Sequence, residues 1–302
     1  MGTGESRVAV PGGELVVVDH GGSGPDVLLV HSMAHSLPVW DGVAARLTQD
    51  ARVVSFDLRG HGRSSAEATD IDQIPDDIVA VIDALGLDRP VLVGHDVSGG
   101  FTAAVAATHP EKIGALVLLD SPTVEPQAAV RETVAMVGTD EVRALIADRF
   151  GLGHTGPDAA SADAFVEEYA RRSSTDLLGA AAEAEATRVL MRRGIRSDAD
   201  GSWIFRPTTD TLRALTHDPG TPTAHPGREL LADLEMPVGI VVLTRGRHGS
   251  GGEAMSDLVQ SRPTMRMVTI DSDPQVQYTD PDAVAAAILE TVRAADRPGQ
   301  AA

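Results

Sequence analysis

One carboxylate stands out as a group placed to react. An apolar run, Pro90-Val91-Leu92-Val93, leads into Gly94-His95-Asp96-Val97-Ser98-Gly99-Gly100, and an Ala-rich run follows from Phe101. Strand, sharp turn and helix in that order form a nucleophile elbow, because small residues two before and two after the tip let the backbone fold tightly. Gly94 and Ser98 hold those positions, so Asp96 is expected to project from the carboxyl end of a sheet. A carboxylate there needs a proton-handling partner, and several side chains qualify. His35 acts as acid or base if its ring turns into a pocket, and is otherwise a solvated loop histidine. His248 has the same two readings. Asp120 ends an apolar run, either to orient a histidine or to bond to backbone. Asp273 could oppose Asp96 with Arg245 or Arg247 between them, whereas His95 reads as packing. Tyr169 could donate a proton or pack within its helix. Trp203 could line a pocket for a flat apolar substrate or pack a hairpin.

The elements that must position these groups follow from periodicity. Residues 7–10 and 14–19 read as a strand pair split by Pro11-Gly12-Gly13. Residues 26–30, 52–56, 90–95, 115–120, 237–243 and 265–270 are short apolar runs, as expected of strands buried on both faces. Helices are expected over 43–47, over 72–85 with Gly86 as its stop, and over 282–295. Strands and helices alternating at this interval predict a mainly parallel eight-stranded α/β sheet with crossover helices. Residues 122–234 break that pattern, with helical stretches at 127–136, 140–149, 161–172 and 177–193 and a Pro/Thr/Asp-rich segment at 206–226. They read as a helical cap inserted after the sixth strand, leaving 1–121 and 235–302 as the core domain. The tail 296–302 is expected to fray.

Composition narrows the function classes. The 302 residues include no cysteine, which excludes disulfides, thiolate metal sites and a thiol nucleophile. The net charge of −19 argues against nucleic acid, whose phosphates require a basic face. No charge-free apolar run reaches the ~20 residues of a membrane span. The N-terminus lacks a basic-then-apolar leader, although Met1-Gly2-Thr3-Gly4-Glu5-Ser6 fits the loose myristoylation pattern. No ligand cluster or dinucleotide fingerprint implies a metal or organic cofactor. The expectation is a cytoplasmic enzyme with a small-molecule substrate and neither nucleic-acid nor membrane partner; a homodimer stays open.

Taken together, the Asp57-x-Arg59-Gly60-x-Gly62-x-Ser64 loop, the Gly94-His95-Asp96-x-Ser98-Gly99 elbow and the cap resemble the α/β-hydrolase superfamily, and within it the epoxide hydrolase and haloalkane dehalogenase branch. The resemblance covers nearly all of 7–121 and 236–296. It implies Asp96 as a nucleophile that attacks carbon and forms an ester, kept ionised by the helix N-terminus it precedes. It also implies an oxyanion and substrate-binding site from the backbone N–H groups of Met33 and Val97 with Ser32 beside them, Ser32 and Ala34 standing where the branch carries Gly and Pro. The branch's base follows the last strand, and here that position is Pro274. The loop after the seventh strand lacks the usual acid as well, so the triad is atypical. Halide-cradling residues are missing at Met33 and Val97, which disfavours dehalogenation.

Three functions stay open. One is epoxide-hydrolase-like chemistry with a displaced base. Another is non-hydrolytic acid/base catalysis, as in an isomerase, lyase or cyclase of secondary-metabolite tailoring. The third is a catalytically lapsed ligand-binding homologue. A side chain able to act as base within ~3–4 Å of the Asp96 carboxylate is what the hydrolytic reading requires.

Overall fold

Alternation of buried side chains explains the sheet. In β3 (Asp26–Val30), Val27 and Leu29 enter one hydrophobic cluster while Leu28 and Val30 enter another on the opposite face. The computed structural model describes residues 4–173, 184–248 and 252–295. Met1, Gly2, the tail 296–302 and the first part of the helix expected over 177–193 lie outside the described residues.

An antiparallel pair, β1 (Glu5–Val10) and β2 (Gly13–Gly21), starts the chain; β3, α1 (Asp41–Leu47), β4 (Arg52–Phe56) and α2 (Gln73–Leu85) follow. The helix α2 stops at Gly86 in the left-handed conformation (φ 59°), as its position predicts. Then come β5 (Val91–His95), α3 (Ser98–Thr108) and β6 (Ala115–Leu119). After the insertion the sheet resumes with β10 (Val238–Leu243), followed by α10 (Gly252–Ser261) and β11 (Met265–Ile270), and α11 (Val276–Thr279) and α12 (Pro281–Ala295) close the core. The sheet has eight strands in the order β1-β2-β4-β3-β5-β6-β10-β11. All pairings from β4 onward are parallel; β2 meets β4 antiparallel. The core is therefore an α/β-hydrolase fold, a mostly parallel sheet flanked by helices.

Between β6 and β10 lie α4 (Gln127–Val137), α5 (Asp140–Phe150), β7 (Thr155–Gly156), α6 (Ala159–Ser173), α7 (Ala184–Gly194), β8 (Ile195–Ser197), β9 (Trp203–Phe205), α8 (Thr209–Leu215) and α9 (Arg228–Ala232). Beside its helices the insertion holds a three-stranded sheet of order β7-β9-β8, which the helical-cap expectation did not include. Its strands are two or three residues long, too short to show alternation. The insertion has its own apolar cluster, including Leu152, Val166, Trp203, Phe205 and Leu212.

Two buried arginines tie the insertion to the core. Arg193 reaches across to Asp57 at 2.8 Å and Glu5 at 2.7 Å. Arg206 bonds to the carbonyl of Ser64 and pairs with Glu67 at 3.0 Å. The motif loop from Asp57 to Ser64 thus has a structural task. The Asp57 carboxylate also accepts the N–H groups of Leu37 and Arg63, each at 2.9 Å. A Cβ at Gly62 (φ 47°) would overlap that carboxylate. Arg59 and Asp77 form a fully buried ion pair at 2.6 Å.

Candidate active site

Asp96 occupies the tip between β5 and α3 with a φ of 52°, a conformation that costs a non-glycine residue energy and is retained where the surroundings enforce it. The enforcement is visible. The Asp96 N–H donates to the Leu119 carbonyl at 2.9 Å, and its own carbonyl accepts the Gly99 N–H at 3.0 Å. A side chain at Gly94 would collide with Thr102 and the Ser98 carbonyl, and one at Gly99 with Ser121. Ser98 Oγ donates to the His31 carbonyl at 2.6 Å and so fastens the elbow to the loop after β3. In that loop His31 accepts the Leu58 N–H on Nε2 at 3.1 Å, which leaves Nδ1–H to donate to the Ser32 carbonyl at 2.9 Å.

Two side chains hold the Asp96 carboxylate. Ser32 Oγ donates to Oδ2 at 2.6 Å, and His248 Nε2–H donates to Oδ1 at 3.2 Å. Burial by itself would push this carboxyl up. The His248 hydrogen bond and the charges of Arg247 and His248 outweigh burial and hold it well below the usual carboxylate range. His248 stands in the loop after β10, and Asp120 fixes it there. The Asp120 carboxylate accepts the N–H groups of Arg247 at 3.1 Å and His248 at 3.3 Å. A Cβ at Gly246 would strike the same carboxylate. Strands β6 and β10 are parallel neighbours, so the residues just beyond their carboxyl ends meet.

Around Asp96 lies a cavity of about 380 Å³. Ser32, Met33, Val97, Asp120, Arg247 and His248 line it from the core side. Val130, Val134, Val137, Ile146 and Phe150 line it from α4 and α5, giving a largely apolar wall. His35 also faces the cavity, with its ring centroid 5.7 Å from that of His95. Burial pushes His35 down to about 4, while the Asp96 charge opposes that effect. His95, packed against Trp40, is pushed down to about 3 by burial and is a neutral packing ring.

Several expected contributors are elsewhere. The Tyr169 hydroxyl donates to the Asp148 carbonyl at 2.7 Å and its ring packs on Phe165. Trp203 donates Nε1–H to Ser161 Oγ at 3.0 Å. Neither lines the cavity, because both rings satisfy their polar atoms inside the insertion's own core. The Asp273 carboxylate caps the Gln275 N–H at 2.9 Å and does not face Asp96. Arg245 pairs with Asp271 at 2.6 Å. Asp120, a candidate catalytic acid, accepts two backbone N–H groups on its oxygens. Pro274 lines the cavity. Sequence reasoning missed the Ser32 bond to Asp96; a hydroxyl next to an elbow-facing loop was the available signal. Among the described residues, no group of three or more His, Asp or Glu side chains converges to hold a metal ion.

Residues 25–151 match the family described as alpha/beta hydrolase fold. Over that segment the chain resembles the α/β-hydrolase superfamily. It is 36% identical over 107 residues to a fluoroacetate dehalogenase of a Burkholderia species, a match spanning 33% of this chain and 35% of that protein. It is 33% identical over 102 residues to mouse epoxide hydrolase 4, spanning 32% of this chain and 28% of that protein. The chain thus covers about a third of the length of these curated relatives. Among solved structures, an E-2-(acetamidomethylene)succinate hydrolase superposes with a TM-score of 0.72 at 21% identity, over 96% of this chain and 99% of the other. At that identity the superposition speaks for the fold alone.

Proposed function

We propose that this protein hydrolyses a small, largely apolar electrophile in the manner of an epoxide hydrolase, with Asp96 as nucleophile and His248 as the displaced base. The observation that carries the reading is the 3.2 Å approach of His248 Nε2 to Asp96 Oδ1. A base within that reach is what the hydrolytic route needs and what Pro274 cannot supply.

The steps follow from the geometry. An ionised Asp96 oxygen attacks an electrophilic ring carbon and forms an alkyl ester as the bond to the ring oxygen breaks; that oxygen leaves as an alkoxide and takes a proton from solvent water. Esterification neutralises the carboxylate, which removes the reason for the His248 proton to sit on Nε2. The ring can then accept a proton on Nε2 from a water that attacks the ester carbonyl carbon. The resulting oxyanion would sit against the N–H groups of Met33 and Val97. Collapse breaks the acyl C–O bond, regenerates the Asp96 carboxylate and passes the proton to the departing alkoxide. Ser32, bonded to the second carboxylate oxygen, orients the group throughout.

A panel of aliphatic and aryl epoxides, reacted for a single turnover in heavy-oxygen water, tests the reading. Label is expected in the Asp96 peptide by mass spectrometry. Turnover without label in Asp96 would overturn it.

A second reading is favoured by one observation, the absence of either tyrosine from the cavity lining. Epoxide opening then has no phenol to protonate the ring oxygen, and the His248–Asp96 pair could instead move protons in an isomerisation, elimination or ring closure. In that case Asp96 would never become covalently modified.

A further inference from the structure

Arg247 lines the Asp96 cavity from its exposed rim. Its backbone is fixed, since its N–H is bonded to Asp120 at 3.1 Å. Its guanidinium is not. Among the described residues, no carboxylate, carbonyl or hydroxyl accepts from it. The other ionic groups of the cavity are all engaged: Asp96 by Ser32 and His248, Asp120 by two backbone amides. Its charge nevertheless reaches the site, for it bears on Asp96, His35 and His95, which come from the elbow and from the loop after β3.

A chain of net charge −19 with an ionised carboxylate at its reactive centre repels anions. A guanidinium beside that centre, unpaired among the described residues, reverses the local sign over one short stretch of cavity wall. Guanidinium is planar and presents paired donors that match a carboxylate. We propose that Arg247 is a specificity-determining residue that binds the carboxylate of a monoanionic substrate whose apolar body lies along Val134, Val137 and Phe150. A single guanidinium facing two acidic side chains suits a monoanion; a phosphate dianion would call for further cations. The proposal rests on the Asp96 cavity being the substrate site, but not on the chemistry done there.

Binding without turnover tests it. Hexanoate and hexanamide share a skeleton and differ in charge, and neither carries an electrophile for Asp96. Each is titrated by calorimetry into the full-length wild type, Arg247→Gln and Arg247→Lys. Hexanoate is expected to bind wild type at least tenfold more tightly than hexanamide, to lose that preference in Arg247→Gln and to keep part of it in Arg247→Lys. Asp96→Asn, which removes the repelling charge, is expected to tighten hexanoate and leave hexanamide unchanged. Equal affinity of the two ligands for wild type, or a preference that survives Arg247→Gln, overturns the proposal. If hexanoate binding depends on Arg247 while no epoxide labels Asp96, the hydrolytic reading fails and this one stands.

Discussion

His248 Nε2 lies 3.2 Å from Asp96 Oδ1, although 152 positions separate the two residues in sequence. Asp96 closes a strand in the middle of the sheet and His248 follows a strand two places away, so the pair exists only because β5, β6 and β10 lie side by side. If His248 is the base that discharges the ester, His248→Ala should leave attack possible and block release. Turnover is then expected to fall about 10²–10⁴-fold, the usual contribution of a positioned acid/base. Intact-protein mass spectrometry should show the chain heavier by one substrate. Loss of turnover with no added mass would argue for proton transfer by the pair instead.

If Asp120 acts through the His248 loop that it anchors, its removal should alter rate more than binding. Asp120→Ala deletes the acceptor of two backbone amides. The expected result is a fall in kcat of about tenfold or more at nearly constant KM, since a misplaced base weakens the chemical step. Asp120→Asn retains one acceptor oxygen and should recover part of the rate.

The Arg59–Asp77 pair sets a stability test away from the chemistry. Both side chains are fully buried, so Asp77→Ala leaves a guanidinium charge without its counter-ion. A loss of about 3–5 kcal/mol is expected in urea unfolding, the usual cost of breaking such a pair from one side. A change below 1 kcal/mol would show that the remaining bond from Arg59 to the Glu67 carbonyl suffices.

Acid should unfold the protein through its buried imidazoles. Burial pushes His31, His61 and His95 each down to about 3 in the folded chain, from an ordinary value of 6.5. Between pH 6.5 and 3 the unfolded chain binds protons that the folded chain refuses. Each ring then withdraws about 1.4 kcal/mol of stability per pH unit as pH falls through that window, and none above it. Urea midpoints should be flat above pH 7 and drop steeply between pH 6 and 4. His95→Gln should flatten that slope by about one ring's share.

The Asp96 carboxyl is also held low, here by the His248 hydrogen bond and the neighbouring charges, which outweigh burial. It lies below the ordinary carboxylate range, so it stays ionised throughout the pH range in which the fold survives. The rate of ester formation in His248→Ala is expected to decline at higher pH than in wild type, because the variant loses the imidazole that helps hold the carboxyl down. Single-turnover mass spectrometry across pH 4–8 measures the difference.

Local patterns in the chain determined the sheet and its elbow, for a physical reason. Strands buried on both faces must be continuously apolar, and a turn that places Asp96 at φ 52° needs Gly94 and Gly99 beside it. Those demands act within a few residues, so the strands, the elbow and the stop at Gly86 were legible in sequence. The partners of Asp96 were not. Whether His248 faced the site or solvent depended on the order of the strands and on the Asp120 carboxylate that anchors its loop. Ser32 looked like a departure from a glycine and became a hydrogen-bond donor only once the loop after β3 was laid beside the elbow. Tyr169 and Trp203 have side chains suited to a pocket, and only the packing of the insertion showed that they fill its core. Spacing along the chain fixes which residues share an element. Which elements meet, and so which side chain meets the carboxylate, is decided by tertiary structure.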